Sequence, residues 1–464
     1  MDINDINRLR VAAQSKLSAQ AARAAVFQSY FDNEAGVLAI LDTEERRVFR
    51  NLLAESQANW CELVVQAVAE RLQVVGFGFG SEEASAAAWE IWQANSMDAD
   101  GELVQLDALT MSSSFALVQP DDDNPTGVCI TAESPMQATV LYEPGNRRKR
   151  VAGYKRFGLD YDAMITGTTL QTGAVVEVLI TPDQIFTWWP SGSPDNPQID
   201  PNPAGFVGLV EIIPQPRTLK WPRSELHSAM TIQDRINTTL FNRLVAVDFA
   251  AFRQVWATGV KVAANVATAG TNGQPTVVRP PFNVGANRLL ASENPDSRFG
   301  AIPESTLAGY LASVAQDVEH LAAITQTPPT YLLGQMVNLS ADAIKASEAG
   351  LVAKCGRRAR HIGEGWEEVM RLALQLTGNP AATYVAAEVK WADMETRSEG
   401  QRVDALTKMA TLGVPRRVLW QKWGASPQEI TDWEAMIAAD PSEVITPPTP
   451  PPSPAPTPEP VPTS

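Results

Sequence analysis

The stretch that most constrains this chain runs from Ala301 to Leu376 and reads as helix, proline-rich loop, long helix. Pro303 suits the first turn of a helix, where its missing N–H would be unpaired anyway. Leu307, Leu311, Val314, Val318 and Leu321 follow at helical spacing and form one apolar stripe. Pro328 and Pro329 end that helix, because proline lacks the donor and disfavours helix in the residue before it. Ser340 is a good N-cap for the next helix, with Asp342 in its first turn. Ile344, Leu351, Cys355, Ile362, Trp366, Val369, Ala373 and Leu376 give that helix a stripe. Unbroken, it would span about 37 residues, or roughly 55 Å. Gly350, Gly356, Gly363 and Gly365 lie inside it, each costing about 1 kcal/mol relative to alanine, which suggests a kink or close packing there.

The segments before it divide into two patterns. Residues 1–94 are mostly helical, with Leu52, Trp60, Leu63, Val64, Ala67, Val68 and Leu72 read as one helical stripe capped by Asn59 or Ser56. Gly76–Gly80 reads as a turn ending that helix; as a phosphate loop it lacks the following GK[ST]. Ser85–Gln93 begins another helix, with Trp89 and Trp92 expected in the core. From Ser112 to Val210 short β-rich runs alternate with turns, which predicts antiparallel strands and an α+β fold. Asp121–Asp123 lacks the ligand spacing of a calcium loop and reads as a solvated turn. Arg147, Arg148, Lys149 and Arg150 read as a charged hairpin at a solvated edge, with a nucleic-acid or partner patch as the alternative. Trp188 and Trp189 precede a long polar loop. Ser224 is read as the cap of a third long helix carrying Leu226, Met230, Ile236, Leu240, Leu244 and Val247. A β-like turn at Phe252–Val260 and a Gly/Pro/Asn-rich insert follow. Beyond Leu376 come a strand-like run, Tyr384–Trp391, and two helices, the second carrying Val418 to Trp433.

At 464 residues the chain has room for two or more domains. Its three cysteines offer no CxxC pair, which favours a reducing compartment. No signal-peptide core and no membrane-length apolar run is expected. A net charge of −16 argues against a surface that grips nucleic acid everywhere, though not against one that lets DNA slide past. No enzyme site can be assembled. His227, His320 and His361 lack partners at metal spacing. Walker A, GxSxG and HExxH motifs are absent. No cofactor or metal is expected, and the missing Walker A argues against an ATP-driven motor.

The segment TPPTYLLGQMVNLSADAIKASEAGLVAKCGRRARHIGEGWEEVMRLAL (327–374) resembles the region after the stem of tailed-bacteriophage portal proteins. Segments 58–77, 98–118, 224–259 and 389–415 resemble further portal segments in the same order. The resemblance implies a portal-type subunit. The wing would be 1–222, β-rich from about 112, completed by 341–391. Stem helices at 223–326 would carry a clip insert at about 258–300. A tunnel loop would occupy 327–340, a short helical crown 392–440, and a proline-rich disordered tail 441–464. It implies a ring, a dodecamer, at one capsid vertex, through which double-stranded DNA is packaged and ejected. Expected partners are the terminase large subunit, the major capsid and scaffold proteins, and the head-completion or adaptor proteins, with no membrane. Expected locations are the virion, and the host cytoplasm during assembly. In the tunnel loop Gln335, Met336, Val337, Asn338 and Leu339 would face the DNA, with Tyr331, Leu332 and Leu333 as anchor, Gly334 as the turn, and Lys345 as the nearest cation. Twelve copies would carry about −190 formal charges, a repulsive or neutral lining. Two other classes stay open. One is another phage head protein, such as a minor head or adaptor protein, which a measured ring with a DNA-wide channel would exclude. The other is an enzyme with a site in the β-rich middle, which nucleotide hydrolysis by the purified protein would reveal.

The last residues, from Pro441, hold eleven of the chain's 34 prolines and few apolar side chains. A chain ending at Asp440 is therefore expected to assemble as the full chain does; a lost assembly peak in size-exclusion chromatography with light scattering would refute this.

Overall fold

The computed structural model describes residues 3–34, 50–158, 175–190, 192–193, 196–251, 255–258, 296, 298–301, 307–334, 341–395, 399–425 and 427–439. Pro303, the loop residues 335–340 and the tail from Asp440 lie outside them. Two compact units form: Met1–Phe27 with Val65–Glu225 and Asn338–Ser464, and Gln28–Val64 with Leu226–Val337.

In chain order the first elements are α1 (Ile3–Phe31), α2 (Arg50–Glu55), α3 (Trp60–Ala69), β1 (Val74–Gly78), α4 (Glu82–Ala94) and α5 (Met97–Met111). Strands follow: β2 (Ser114–Pro120), β3 (Val128–Glu133), β4 (Ala138–Glu143), β5 (Asn146–Gly158), β6 (Val175–Ile180), β7 (Gln184–Trp188), β8 (Gln198–Pro201) and β9 (Leu209–Ile212). A 3₁₀ turn (Glu225–Ser228) then leads into α6 (Met230–Ala251), β10 (Val255–Thr258), β11 (Arg298–Ala301), α7 (Ala308–Thr325) and the short α8 (Pro329–Leu333). The chain continues through α9 (Ala341–Leu376), β12 (Glu388–Trp391), α10 (Glu399–Thr411), α11 (Arg416–Trp423) and α12 (Pro427–Ala439). This mixture of helix and antiparallel sheet is the expected α+β class.

The first unit is layered. Strands β4-β5-β6-β7-β8 form one antiparallel sheet and β3-β2-β9 another. Alternation along the strands sends successive side chains to opposite faces. Leu179, Phe186, Trp188 and Tyr154 therefore meet Ile6, Ala13 and Leu17 of α1. Their neighbours Ile180, Val140 and Ala138 meet Phe115, Leu117 and Leu209 of the smaller sheet. A sheet covered on both faces explains apolar runs such as VVEVLI.

Helix α9 packs on β2, β9, β12 and α4. Of the expected stripe, Leu351, Cys355, Ile362, Trp366, Val369 and Ala373 are buried and Leu376 is partly covered, while the Ile344 side chain lies outside the described residues. Trp366 meets Trp92 edge-to-face, with ring centroids 5.1 Å apart at 85°. Of the four helix glycines, Gly365 marks a close approach: a Cβ there would sit 2.9 Å from Ile212 Cγ1. Gly350 and Gly356 have open space. A buried charge cluster fixes the helix from another side. Glu225 accepts hydrogen bonds from Gln215 (2.8 Å) and Arg358, and pairs with Lys354 at 3.1 Å. Burial opposes ionisation of Glu225, but Lys354 and Arg358 outweigh it and hold the carboxyl below its ordinary value of 4.5. Arg71 pairs with Glu348 at 3.3 Å and donates to Met394 O.

In the second unit α6 and α7 pack together, burying Ile236, Leu240 and Phe241 on one and Val318, Leu321 and Ala322 on the other. Arg235 bridges to Asp317 at 2.6 Å. Strands β10 and β11 pair antiparallel, Val255 opposite Ala301 and Thr258 opposite Arg298. On α7 the expected stripe is uneven: Leu311 is exposed, and Leu307 and Val314 are partly covered. Among the described residues no helix is long and apolar enough to cross a membrane.

Several local expectations are corrected. Gly76–Gly78 is not a helix-ending turn but part of β1, paired with β12, a partner more than 300 residues on. The stripe from Leu52 to Leu72 is not one helix; Ser56–Asn59 breaks it, and Asn59 Oδ1 accepts from the Glu62 N–H as the cap of α3. Ser224 does not cap a long helix: its hydroxyl donates to the carbonyls of Leu109 and Thr110, and α6 starts at Met230. The polar loop after Trp189 contains β8, paired with β7. The last two helices are three, because Gly424 takes φ +102, a left-handed conformation that ends α11.

Replacing Trp366 by alanine should cost about 3–5 kcal/mol. The lower end is expected, because its buried Nε1–H has no partner among the described residues and leaves with the ring. An unchanged melting temperature would show that the stripe is not a packing face. Glu225→Gln strands the buried Lys354 and the half-buried Arg358 and should cost about 3–5 kcal/mol near neutral pH by urea midpoint. Because its folded pKa is depressed, Glu225 stabilises above its unfolded pKa, and that contribution is lost as pH falls through the folded value. The gap between wild type and variant should therefore narrow below about pH 4.5. A gap independent of pH would contradict the assignment.

Candidate functional site

The candidate site is the connection from α7 to α9, the loop of residues 327–340. Its first half is described. Helix α7 ends at Gln326, which takes φ 55 and returns its N–H to Ala322 O. The Thr327 N–H shares that carbonyl at 3.0 Å. Thr325 Oγ1 donates to Leu321 O and lies 3.1 Å from Thr327 Oγ1, so both buried hydroxyls are satisfied. Pro328 is extended, and Pro329 starts α8, where a proline at the first position costs no hydrogen bond. Gly334 ends α8 with φ 62 and its N–H on Thr330 O at 3.2 Å. A side chain there would be strained, which is why glycine stands at this reversal.

The foot of the loop is fastened by side chains far away in sequence. Trp60 Nε1 donates to Leu332 O at 3.1 Å, while the Leu332 side chain is buried. Trp60 is held in turn, its backbone N–H donating to Gln233 Oε1 at 3.0 Å. Gln233 Nε2 donates to Ala58 O and to Asn237 Oδ1, and Asn237 Oδ1 also accepts from the Ala58 N–H. Gln233 and Asn237 are both buried on α6, one turn apart, so two amides clamp the strand-like entry to α3. Nearby, Tyr30 OH donates to Asp234 at 2.8 Å, and burial with Asp234 raises its pKa. Burial, with a further push from Asp234, lifts the Cys61 thiol to about 12, so it stays protonated and inert.

Of the residues expected in this site, Leu332 is buried, Leu333 is partly covered, and Tyr331 is 39% exposed. Gln335, Met336, Val337, Asn338 and Leu339 lie outside the described residues. Lys345 lies on α9, with its side chain outside them. The residues that sequence reading missed are Trp60, Gln233 and Asn237. The one available signal was a pair of amides at i and i+4 on the apolar face of a helix, a spacing that places both on one side.

Elsewhere in the first unit a cavity of about 920 Å³ is lined by Phe77, Trp89, Trp391, Arg402 and Met409, among others. Among the described residues, no group of His, Cys, Asp and Glu is placed to hold a metal ion.

Comparison with known proteins sets this geometry in a family. The family model for phage portal proteins, SPP1 Gp6-like, matches residues 14–442. The chain is 27% identical over 393 residues to the portal protein of Mycobacterium phage D29, covering 81% of this chain and 78% of that protein. It is 28% identical over 396 residues to the portal protein of Mycobacterium phage L5, covering 82% and 77%. A chain from the virion of a native gene transfer agent particle aligns over 83% of this chain and 90% of its own length. Its sequence identity is 13% and its TM-score 0.40. Since the family model spans nearly the whole chain, including the loop and both helices that flank it, the chain belongs to the SPP1 Gp6-like phage portal protein family, a structural family of the virion whose role is to form the DNA channel and dock the terminase.

Proposed function

We propose that twelve copies form a ring at one capsid vertex, and that the loop 335–339 lines the path of double-stranded DNA. The observation that carries this reading is the placement of the loop. It joins a stem-like pair, α6 and α7, to the longest helix, and its foot at Leu332 is clamped by Trp60. A clamped foot lets a short tip be held in place while the tip itself carries no charge. In Gln335, Met336, Val337, Asn338 and Leu339 there is no group that pairs with a phosphate as an ion, so DNA could be touched and still move. Lys345 is the nearest cation in sequence beyond the tip.

The wing would comprise 1–222 and 341–391, the stem and clip 223–326, and the crown 392–440. The clip would meet the terminase large subunit and later the head-completion or adaptor proteins; the wing would meet the major capsid and scaffold proteins. Assembly would take place in the host cytoplasm. No catalytic role is proposed for the subunit.

Val337→Lys together with Asn338→Lys should leave assembly intact and shorten the packaged genome, because each added lysine repeats around the ring and can hold a phosphate. Packaged genome length in particles built with the double variant is the measurement. Full-length genomes at normal yield would mean that this loop does not line the DNA path.

A further inference from the structure

A basic knuckle stands on an acidic chain. The turn between β4 and β5 and the start of β5 expose Arg147, Arg148 and Lys149; the loop after β9 exposes Arg217, Lys220 and Arg223. The two segments are some seventy residues apart in sequence but meet in space, Arg147 Nη1 donating to Arg217 O at 3.3 Å. Among these cations stand two apolar side chains, Leu219 at 95% exposure and Trp221, partly covered, at 36%. Arg23 lies over the Trp221 ring at 5.7 Å, which orients it. Pro214, Pro216 and Pro222 restrict the loop, so little entropy is lost when it docks. Arginine and tryptophan around a bare apolar centre are the composition of an interface hot spot. The charge calls for an acidic partner. Nucleic acid would use the cations but gain nothing from Leu219.

The same unit carries the complementary chemistry on α5. Leu103 is 56% exposed, and its helical neighbours at three and four residues are Ala99, Asp100, Leu106 and Asp107, with the exposed Glu102 alongside. Asp107 is largely covered, and burial raises its carboxyl to about 6, so the acids presented beside Leu103 are Asp100 and Glu102; the patch is an apolar centre flanked by acid, the inverse of the knuckle.

We propose that the knuckle of one copy docks on the α5 face of the next, Leu219 and Trp221 against Leu103 and Leu106, with Arg217 and Lys220 facing Asp100 and Glu102. The inference rests on the ring reading and specifies its contact. Two different surfaces meet, so the contact is heterologous and propagates head to tail until rotation closes it.

A charge exchange tests it. The full chain is compared with Arg217→Glu/Lys220→Glu, with Asp100→Lys/Glu102→Lys, and with all four substitutions, by light scattering over a concentration series. Each double variant should need about tenfold more protein to assemble, and the four-fold variant should return most of the way to wild type. A double variant that assembles as wild type does, or a four-fold variant no better than the doubles, overturns the contact while leaving the ring reading intact. A wild-type chain that stays monomeric overturns both. Should a double variant misfold, Leu219→Cys with Leu103→Cys decides. Mild oxidation should give a ladder of disulfide-linked copies that neither single cysteine gives, and no ladder overturns the proposal.

Discussion

An isolated helix gains little in water from its own hydrogen bonds, so α9 is stable over 36 residues only because its stripe is covered. The cover is drawn from distant parts of the chain: Trp92 from α4, Ile212 from β9, and β12 from beyond the helix itself. Where α9 carries charge inward, the charge is matched. Glu225 takes Lys354 and Arg358 together, and Glu348 takes Arg71. A shift of this helix would therefore uncover apolar surface and strand ions at once. It can move only as a body with its cover, a fitting property for the element that leads directly out of the loop at 335–339.

What was legible in the residues had local causes. The stripe of α9, the strands from Ser114 to Ile180 and the stop at Pro328 follow from periodicity and proline chemistry, which need no distant partner. What was not legible depended on one. The run Gly76–Gly78 carries a turn-like composition and becomes a strand because Glu388–Val389–Lys390 lies beside it. Ser224 looks like a helix cap and instead serves carbonyls of α5. In the candidate site Leu332 and Gly334 were readable as an apolar anchor and a glycine turn. The clamp through Trp60, Gln233 and Asn237 was not, because tryptophan in a helix is ordinarily a core residue and hydrogen-bond partners across 272 positions leave no pattern.

The two amides of α6 repay comparison with the charged cluster on α9. Gln233 and Asn237 are buried without charge, so their hydrogen bonds do not depend on pH; Gln233 satisfies two backbone groups, and Asn237 satisfies a third while accepting from Gln233. Directional neutral bonds fix geometry without a large field. On the proposed reading, that suits a scaffold at the foot of a loop facing a polyanion. A buried cation in the same place would attract the phosphates that the loop, on the proposed reading, must release.

The pairing of β1 with β12 also sets a timetable. Phe77 finds Val389 only after some 310 further residues have been made, and at ribosomal speed that interval is about 15–60 s. Until then the β1 edge stays unpaired. A nascent subunit thus carries an open seam while the residues between the two strands are made. Chains cut short by a stalled ribosome keep the seam open, and an open strand edge invites aggregation or capture by chaperones. The order of translation thereby separates chains that have reached β12 from those that have not.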